Sequence, residues 1–250
     1  MTRVQLREFS ASDLGHGSGR LCGLSICFDL DGTLVDTAPD LVRVTNAVIA
    51  EEGVGPTDYK LARGAVGFGS RRLISDALAR AGRSVSASRL DALQAIFLKL
   101  YADDIARCSK PFPGVLDTLQ QLRAEGADLS VCTNKPGWLA RPLLDALHMA
   151  EMFTRIVGGD EAPRSKPDPR HLFMTAGHRH SERIVLVGDA VPDMGAAHNA
   201  GALAVLVTYG YSHGPQIQLR ADARLRTFRQ LAPTLIDRYD RSATALRVRF

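Results

Sequence analysis

Two carboxylates stand one residue apart in the stretch Ile26-Cys27-Phe28-Asp29-Leu30-Asp31-Gly32-Thr33-Leu34-Val35-Asp36. The apolar run over 24–28 reads as a buried strand, and it ends in Asp29 and Asp31, followed at once by Gly32. In an extended backbone residues i and i+2 point to one side, so both acids face the same place. Like charges that near repel, and one carboxyl keeps its proton unless a cation lies between them. The pattern asks for a metal, a shared proton, or both. A carboxylate able to attack beside one able to move protons suits covalent catalysis. The same residue types also make turns, so the rest of the chain has to decide.

The elements that would position these acids fall into two kinds. Residues 39–109 keep helical spacing almost throughout. Pro39 opens a helix with Leu41, Val42, Val44, Val48 and Ile49 on one face, ended by Gly53 and Gly55. Thr57 is expected to cap a short helix running through Ala65, and Gly67-Phe68-Gly69 interrupts. Helices over 70–81 and 88–106 follow, carrying Leu73, Ile74, Ala77 and Leu78, then Leu90, Leu93, Ile96, Phe97, Leu100 and Ile105. Such a block is too long for a connection within a sheet, so it predicts a helical domain over 38–110, inserted after the first strand.

Pro111-Phe112-Pro113-Gly114 begins an alternation of helices with apolar runs at 128–132, 155–157, 183–187 and 202–208, and 228–239 reads as a last helix. Apolar strands alternating with helices predict an α/β fold, an open parallel Rossmann-like sheet covered on both faces, built from 21–37 and 111–250. Ligands of such sheets bind beyond the carboxyl ends of the strands. That rule selects Asp29, Thr133 with Asn134, Asp160 and Asp189 without further information.

Composition narrows the class. A hydrophobic fraction of 45% in 250 residues supports a proper core. A net charge of +4 and a pI near 9.0 suit an anionic substrate, but the 31 lysines and arginines are scattered, and no nucleic-acid motif accompanies them. No window approaches the length of a membrane span. The four cysteines lack Cys-x-x-Cys spacing and read as reduced thiols of a cytoplasmic protein, monomer or homodimer. Residues 1–20, with Gly15-x-Gly17-x-Gly19 ahead of a strand instead of after one, read as a flexible tail. His178 and His180 lack partners at zinc spacing and read as surface histidines.

Asp29-Leu30-Asp31-Gly32-Thr33-Leu34 resembles the first motif of the haloacid dehalogenase-like superfamily, and three further motifs stand downstream in order. The resemblance implies that Asp29 is a nucleophile that becomes an aspartyl phosphate and Asp31 the acid/base. Thr133, with the Asn134 backbone N–H, matches the second motif and would hold phosphoryl oxygens, and Lys166 matches the third, a cation facing nucleophile and phosphate. Asp189 and Asp193, in Gly188-Asp189-Ala190-Val191-Pro192-Asp193, match the fourth, which completes a Mg²⁺ site with Asp29 and the Asp31 carbonyl. Ala190 stands where many relatives have serine.

Variation inside the first motif separates the reactions of such proteins. Dehalogenases lack the second aspartate, and sugar phosphomutases resembling β-phosphoglucomutase carry valine or isoleucine where this chain has Thr33. Hydrolysis of a small phosphomonoester is the reading that remains, ahead of a phosphosugar phosphatase or mutase and of a non-catalytic interaction protein. Pro111-Phe112-Pro113-Gly114-Val115, Thr133-Asn134-Lys135-Pro136 and Tyr209-Gly210-Tyr211-Ser212-His213-Gly214 resemble bacterial phosphoglycolate phosphatases, which implies 2-phosphoglycolate as substrate. The leaving group would be read by the helical insert, with Gly69, Arg71 and Arg72 the candidate contacts.

Overall fold

The computed structural model describes residues 19–211 and 220–247, so nearly all of the expected tail and the string Ser212-His213-Gly214 lie outside the described residues. In chain order the elements begin with β1 (Ser25–Phe28), β2 (Val35–Asp36), α1 (Ala38–Ala50), α2 (Tyr59–Arg63), α3 (Ser70–Arg80), α4 (Ala87–Asp103) and β3 (Lys110–Pro111). They continue with α5 (Val115–Ala124), β4 (Asp128–Cys132), α6 (Gly137–Ala146), β5 (Arg155–Val157), α7 (Pro169–Ala176) and β6 (Ile184–Gly188). The last are α8 (Val191–Ala200), β7 (Leu203–Val207), β8 (Ala223–Leu225) and α9 (Leu231–Arg247).

Six strands form one parallel sheet in the order β5-β4-β1-β6-β7-β8. The two-residue period of a strand sorts its side chains to opposite layers. Ile26 and Phe28 of β1 join a core with Val115, Leu119, Leu143 and Leu235 from α5, α6 and α9. Cys27, between them, joins Leu172 of α7 and Met194 and Ala197 of α8 on the other face. Both faces are covered, which is why the central strands β1, β4, β6 and β7 are predominantly apolar. β8 is a sixth strand that the apolar runs do not announce: Ala-Arg-Leu at a sheet edge is too short and too mixed to show a period.

Residues between 38 and 101 gather a separate apolar core, with Val48, Ile74, Leu78, Leu93, Phe97 and Tyr101 at its centre. Its two chain connections lie side by side, since β2 pairs antiparallel with β3. Buried Asp40, in the first turn of α1, fastens them. Its carboxylate accepts from the Cys108 N–H at 2.8 Å and from the N–H and hydroxyl of Ser109, each at 2.7 Å. Helix starts differ by a residue or two from the sequence expectation. Asp58, not Thr57, caps α2, its backbone extended at ψ 125° and its carboxylate accepting from the Leu61 N–H at 3.0 Å. Thr57 instead donates its N–H to Asn46 Oδ1 at 2.9 Å.

Candidate active site

The strand order reverses at β1, because the chain passes first to β4 on one side and later to β6 on the other. A crevice opens where such a reversal occurs, beyond the carboxyl end of the central strand. Asp29 occupies that position, its N–H still in the ladder and donating to the Val187 carbonyl at 2.9 Å. Thr133 follows β4 in the same way, donating to the Val157 carbonyl at 3.1 Å, and Asp189 follows β6. Three neighbouring strands therefore deliver a carboxylate, a hydroxyl and a second carboxylate to one rim.

Lys166 reaches the same point from the loop before α7. Its buried ammonium donates to Asp29 Oδ1 at 2.7 Å and to Asp193 Oδ1 at 2.6 Å. Burial disfavours that charge, but the carboxylates of Asp193 and Asp29 outweigh it and raise its pKa. One lysine does not satisfy three acids. Asp29 is pushed up to about 6, first by burial and then by Asp193 against the opposing pull of Lys166. Asp189 is pushed up to about 8, by burial first and then by Asp193 and Asp29. Asp29, Asp189 and Asp193 each turn an oxygen to within 4.8 Å of the others. Buried hard-oxygen donors carrying surplus negative charge fit a divalent cation such as Mg²⁺.

Asp189 is fixed by its neighbours. It accepts the Thr33 hydroxyl on Oδ1 at 3.2 Å and the Tyr211 N–H on Oδ2 at 2.7 Å. Gly32, at φ 85°, passes so close that a Cβ there would meet Asp189 Oδ2 at 2.7 Å. A Cβ on Gly188 would meet the Asp193 carboxylate at 2.3 Å, so a glycine is sterically required at the end of β6, just before Asp189. With Ala190 offering no hydroxyl, Asp193 Oδ2 takes the Ala190 N–H at 3.0 Å and closes the start of α8.

Asp31 is held by the Thr37 hydroxyl at 2.6 Å and by Lys135, whose ammonium lies 3.2 and 3.3 Å from its two oxygens. Asn134 uses its side chain as well as its place on the rim, accepting the Lys166 N–H at 2.9 Å and donating to the Lys166 carbonyl at 3.1 Å. Its neighbour Lys135 stands in the string Thr133-Asn134-Lys135-Pro136 and on the loop that the strand-end rule selects, but its residue type and spacing alone assign it no role.

One cavity of about 370 Å³ is lined by Asp29, Asp31, Thr133, Asn134, Lys135, Lys166, Asp189 and Asp193 from the sheet end. Gly69, Ser70, Arg71, Gln94, Phe97 and Tyr101 line it from the helical block. The rim and insert residues expected from the sequence are thus brought together, with two corrections. Arg72 does not line the cavity; it pairs with Asp76 one helical turn on, at 2.7 Å, because that position of α3 faces outward. Asp160 is on the rim but serves α6, accepting the Gly137 N–H at 2.7 Å. Arg71 does line the cavity, with its guanidinium paired to Asp91. Tyr101 was hidden in the apolar periodicity of α4, where Leu100, an expected core residue, is exposed instead. His178 bonds Ser25 Oγ at 2.9 Å at the opposite end of β1.

The model of the haloacid dehalogenase-like hydrolases matches residues 26–207. A phosphoglycolate phosphatase of Caulobacter vibrioides is 43% identical over 210 residues, covering 83% of this chain and 89% of its own. One from Agrobacterium fabrum is 38% identical over 213 residues, covering 84% and 91%. Among solved structures, a Haemophilus somnus protein described as a predicted phosphoglycolate phosphatase superposes with a TM-score of 0.78 at 30% identity, covering 86% of this chain and 98% of that one.

Proposed function

Because the chain belongs to the haloacid dehalogenase-like hydrolase family and is a phosphatase, we propose that it cleaves the monoester of a small anionic metabolite, first of all 2-phosphoglycolate, to an alcohol and phosphate. The observation that carries this reading is the meeting of Asp29, Asp31, Thr133, Lys166 and Asp189 on one cavity at the reversal of the sheet. The names borne by the Caulobacter and Agrobacterium relatives support the substrate.

Asp29 attacks phosphorus while the ester oxygen departs with the bonding pair and takes a proton from Asp31. Asp31 then takes a proton from water as the water oxygen attacks the aspartyl phosphate, which frees phosphate and restores Asp29. Lys166 holds the attacking carboxylate and offsets charge on the phosphoryl oxygens, and the Thr133 hydroxyl and Asn134 N–H orient them. Mg²⁺, held by Asp29, Asp189, Asp193 and the Asp31 carbonyl, would supply further neutralisation of that charge when bound. The Thr33 hydroxyl, bonded to Asp189, has a task that the valine or isoleucine of the mutases would not perform. Residues 38–110 act as the cap that excludes water and meets the leaving group. Four cysteines without Cys-x-x-Cys spacing suit a cytoplasmic setting, and no described helix is long and apolar enough to cross a membrane.

A panel of phosphorylated metabolites, assayed for phosphate release with Mg²⁺ and with EDTA, tests the reading. Metal-dependent turnover with phosphoglycolate leading is expected. Turnover of hexose phosphates with phosphoglycolate ignored would remove the substrate and leave the reaction class.

A further inference from the structure

We propose that Lys135 is the residue that selects a leaving group carrying an anion one carbon from the ester oxygen, with Tyr101 as its partner from the cap; this rests on the phosphatase reading above and names what that site recognises. Three cations line the cavity among the described residues, Arg71, Lys135 and Lys166. Lys166 is committed to Asp29 and Asp193 on the phosphoryl side. Arg71 is paired with Asp91, a residue outside the cavity lining. Lys135 alone stands beside the acid that protonates the departing oxygen, 3.2 and 3.3 Å from the two Asp31 oxygens.

That placement sets a distance. An ester oxygen accepting a proton from Asp31 lies about 2.7 Å from it, so an ammonium 3.2 and 3.3 Å from the two oxygens of that carboxylate is at most about 6 Å from the ester oxygen, within reach of the group borne by the ester carbon. A carboxylate attached to the ester-bearing carbon meets this spacing. A methyl group there would leave the ammonium nothing to pair with except Asp31.

The cap supplies a second, independent sign. The Lys135 ammonium rests 4.5 Å from the centre of the Tyr101 ring, so helix α4 and the β4 loop meet at this point. The Tyr101 hydroxyl is buried and has no hydrogen-bond partner. A buried donor without an acceptor is costly unless a ligand provides one. A leaving-group carboxylate would accept from Tyr101 and from Lys135 together.

The test is steady-state kinetics of the full chain with Mg²⁺ on 2-phosphoglycolate and on ethyl phosphate, which replaces the carboxylate by a methyl group. Lys135→Gln should lower kcat/KM on both esters, with the loss on phosphoglycolate about thirtyfold the larger and expressed chiefly in KM, as for a lost hydrogen bond to a charged group. Lys135→Arg should keep most of the preference, and Tyr101→Phe should raise KM for phosphoglycolate several-fold more than for ethyl phosphate; thermal melts check that each variant folds. If the wild type prefers phosphoglycolate and Lys135→Gln keeps that preference, losing equally on both esters, Lys135 only positions Asp31 and the inference fails while the proposed function stands. If the wild type does not prefer phosphoglycolate at all, the substrate reading falls and takes this inference with it. Should Lys135→Gln not fold, an unchanged preference in Tyr101→Phe overturns the inference and a reduced one supports it.

Discussion

Asn134 and Lys166 grip each other through two reciprocal hydrogen bonds, the Lys166 N–H to Asn134 Oδ1 at 2.9 Å and Asn134 Nδ2 to the Lys166 carbonyl at 3.1 Å. The side chain of one rim residue thereby fixes the backbone of another, and the Lys166 ammonium reaches Asp29 and Asp193 from a loop with no regular structure of its own. Asn134→Ala should lower kcat by about ten- to a hundredfold, since small misplacement of a charge-stabilising group is costly. Stability should fall by about 1–3 kcal/mol for the two lost bonds. Steady-state kinetics beside urea unfolding measures both, and an unchanged kcat would show that the loop holds Lys166 without Asn134.

Asp29→Asn removes the nucleophile but keeps the shape of the side chain. Turnover should fall by at least about 10⁴-fold, as expected when a covalent nucleophile is lost, with the fold retained in circular dichroism. EDTA should silence the wild type in the same assay, and added Mg²⁺ should restore it. Retained activity in the asparagine variant would rule out an aspartyl phosphate at this position.

Tyr211 ties the rim to the start of the cap. Its hydroxyl accepts the N–H groups of Thr37 at 2.6 Å and Ala38 at 2.9 Å and donates to Asp36 Oδ1 at 2.8 Å. Tyr211→Phe leaves two buried N–H groups unpaired and should destabilise the protein by about 2–4 kcal/mol. Thermal or urea unfolding reads this directly. The Tyr211 N–H that holds Asp189 survives the substitution, so kcat should change less than stability does.

The cap connection should be acid-sensitive through Asp40. Burial by itself would raise its pKa, but the bonds from Ser109, the Cys108 N–H and Arg43 outweigh burial and hold it below the ordinary value. A carboxyl with a lowered folded-state pKa contributes stability that is full above the unfolded value, about 3.9, and is lost as pH falls through the folded one. Asp40→Asn should therefore be less stable than wild type by about 1–3 kcal/mol at pH 7. The gap should close towards pH 3 and below. Urea unfolding of both proteins across that range decides, and a gap independent of pH would exclude the carboxylate as its source.

Arg72→Ala should leave kcat/KM for phosphoglycolate within about twofold and stability within about 0.5 kcal/mol, as for an exposed ion pair. A larger kinetic effect would place Arg72 in the site after all.

The order of strands and helices, the helical insert and the rim residues Asp29, Thr133 and Asp189 were legible in the sequence, because each follows from local rules. Side chains alternate along a strand, recur at helical spacing along a helix, and turn polar where an apolar strand ends. The haloacid dehalogenase-like motifs put Lys166 and Asp193 with them. What the sequence could not rank were polar residues of equal appearance. Asp160 follows an apolar strand, as Asp29 does, yet it caps α6, and Arg71 and Arg72 are adjacent but only one lines the cavity.

Those choices depend on which elements meet, and no short-range pattern encodes that. Lys135 acquires its meaning from Asp31, 104 residues away, and from the Tyr101 ring on a helix of the cap. Tyr101 keeps the spacing of a core residue, and only the approach of α4 to the β4 loop leaves its hydroxyl buried without a partner. The sequence by itself determined which chemistry the chain is able to perform, since that rests on residue types at the ends of strands. The tertiary structure decided which charges pair with one another and which of those pairs line the cavity, since electrostatic interaction and burial depend on distance through space and not along the chain.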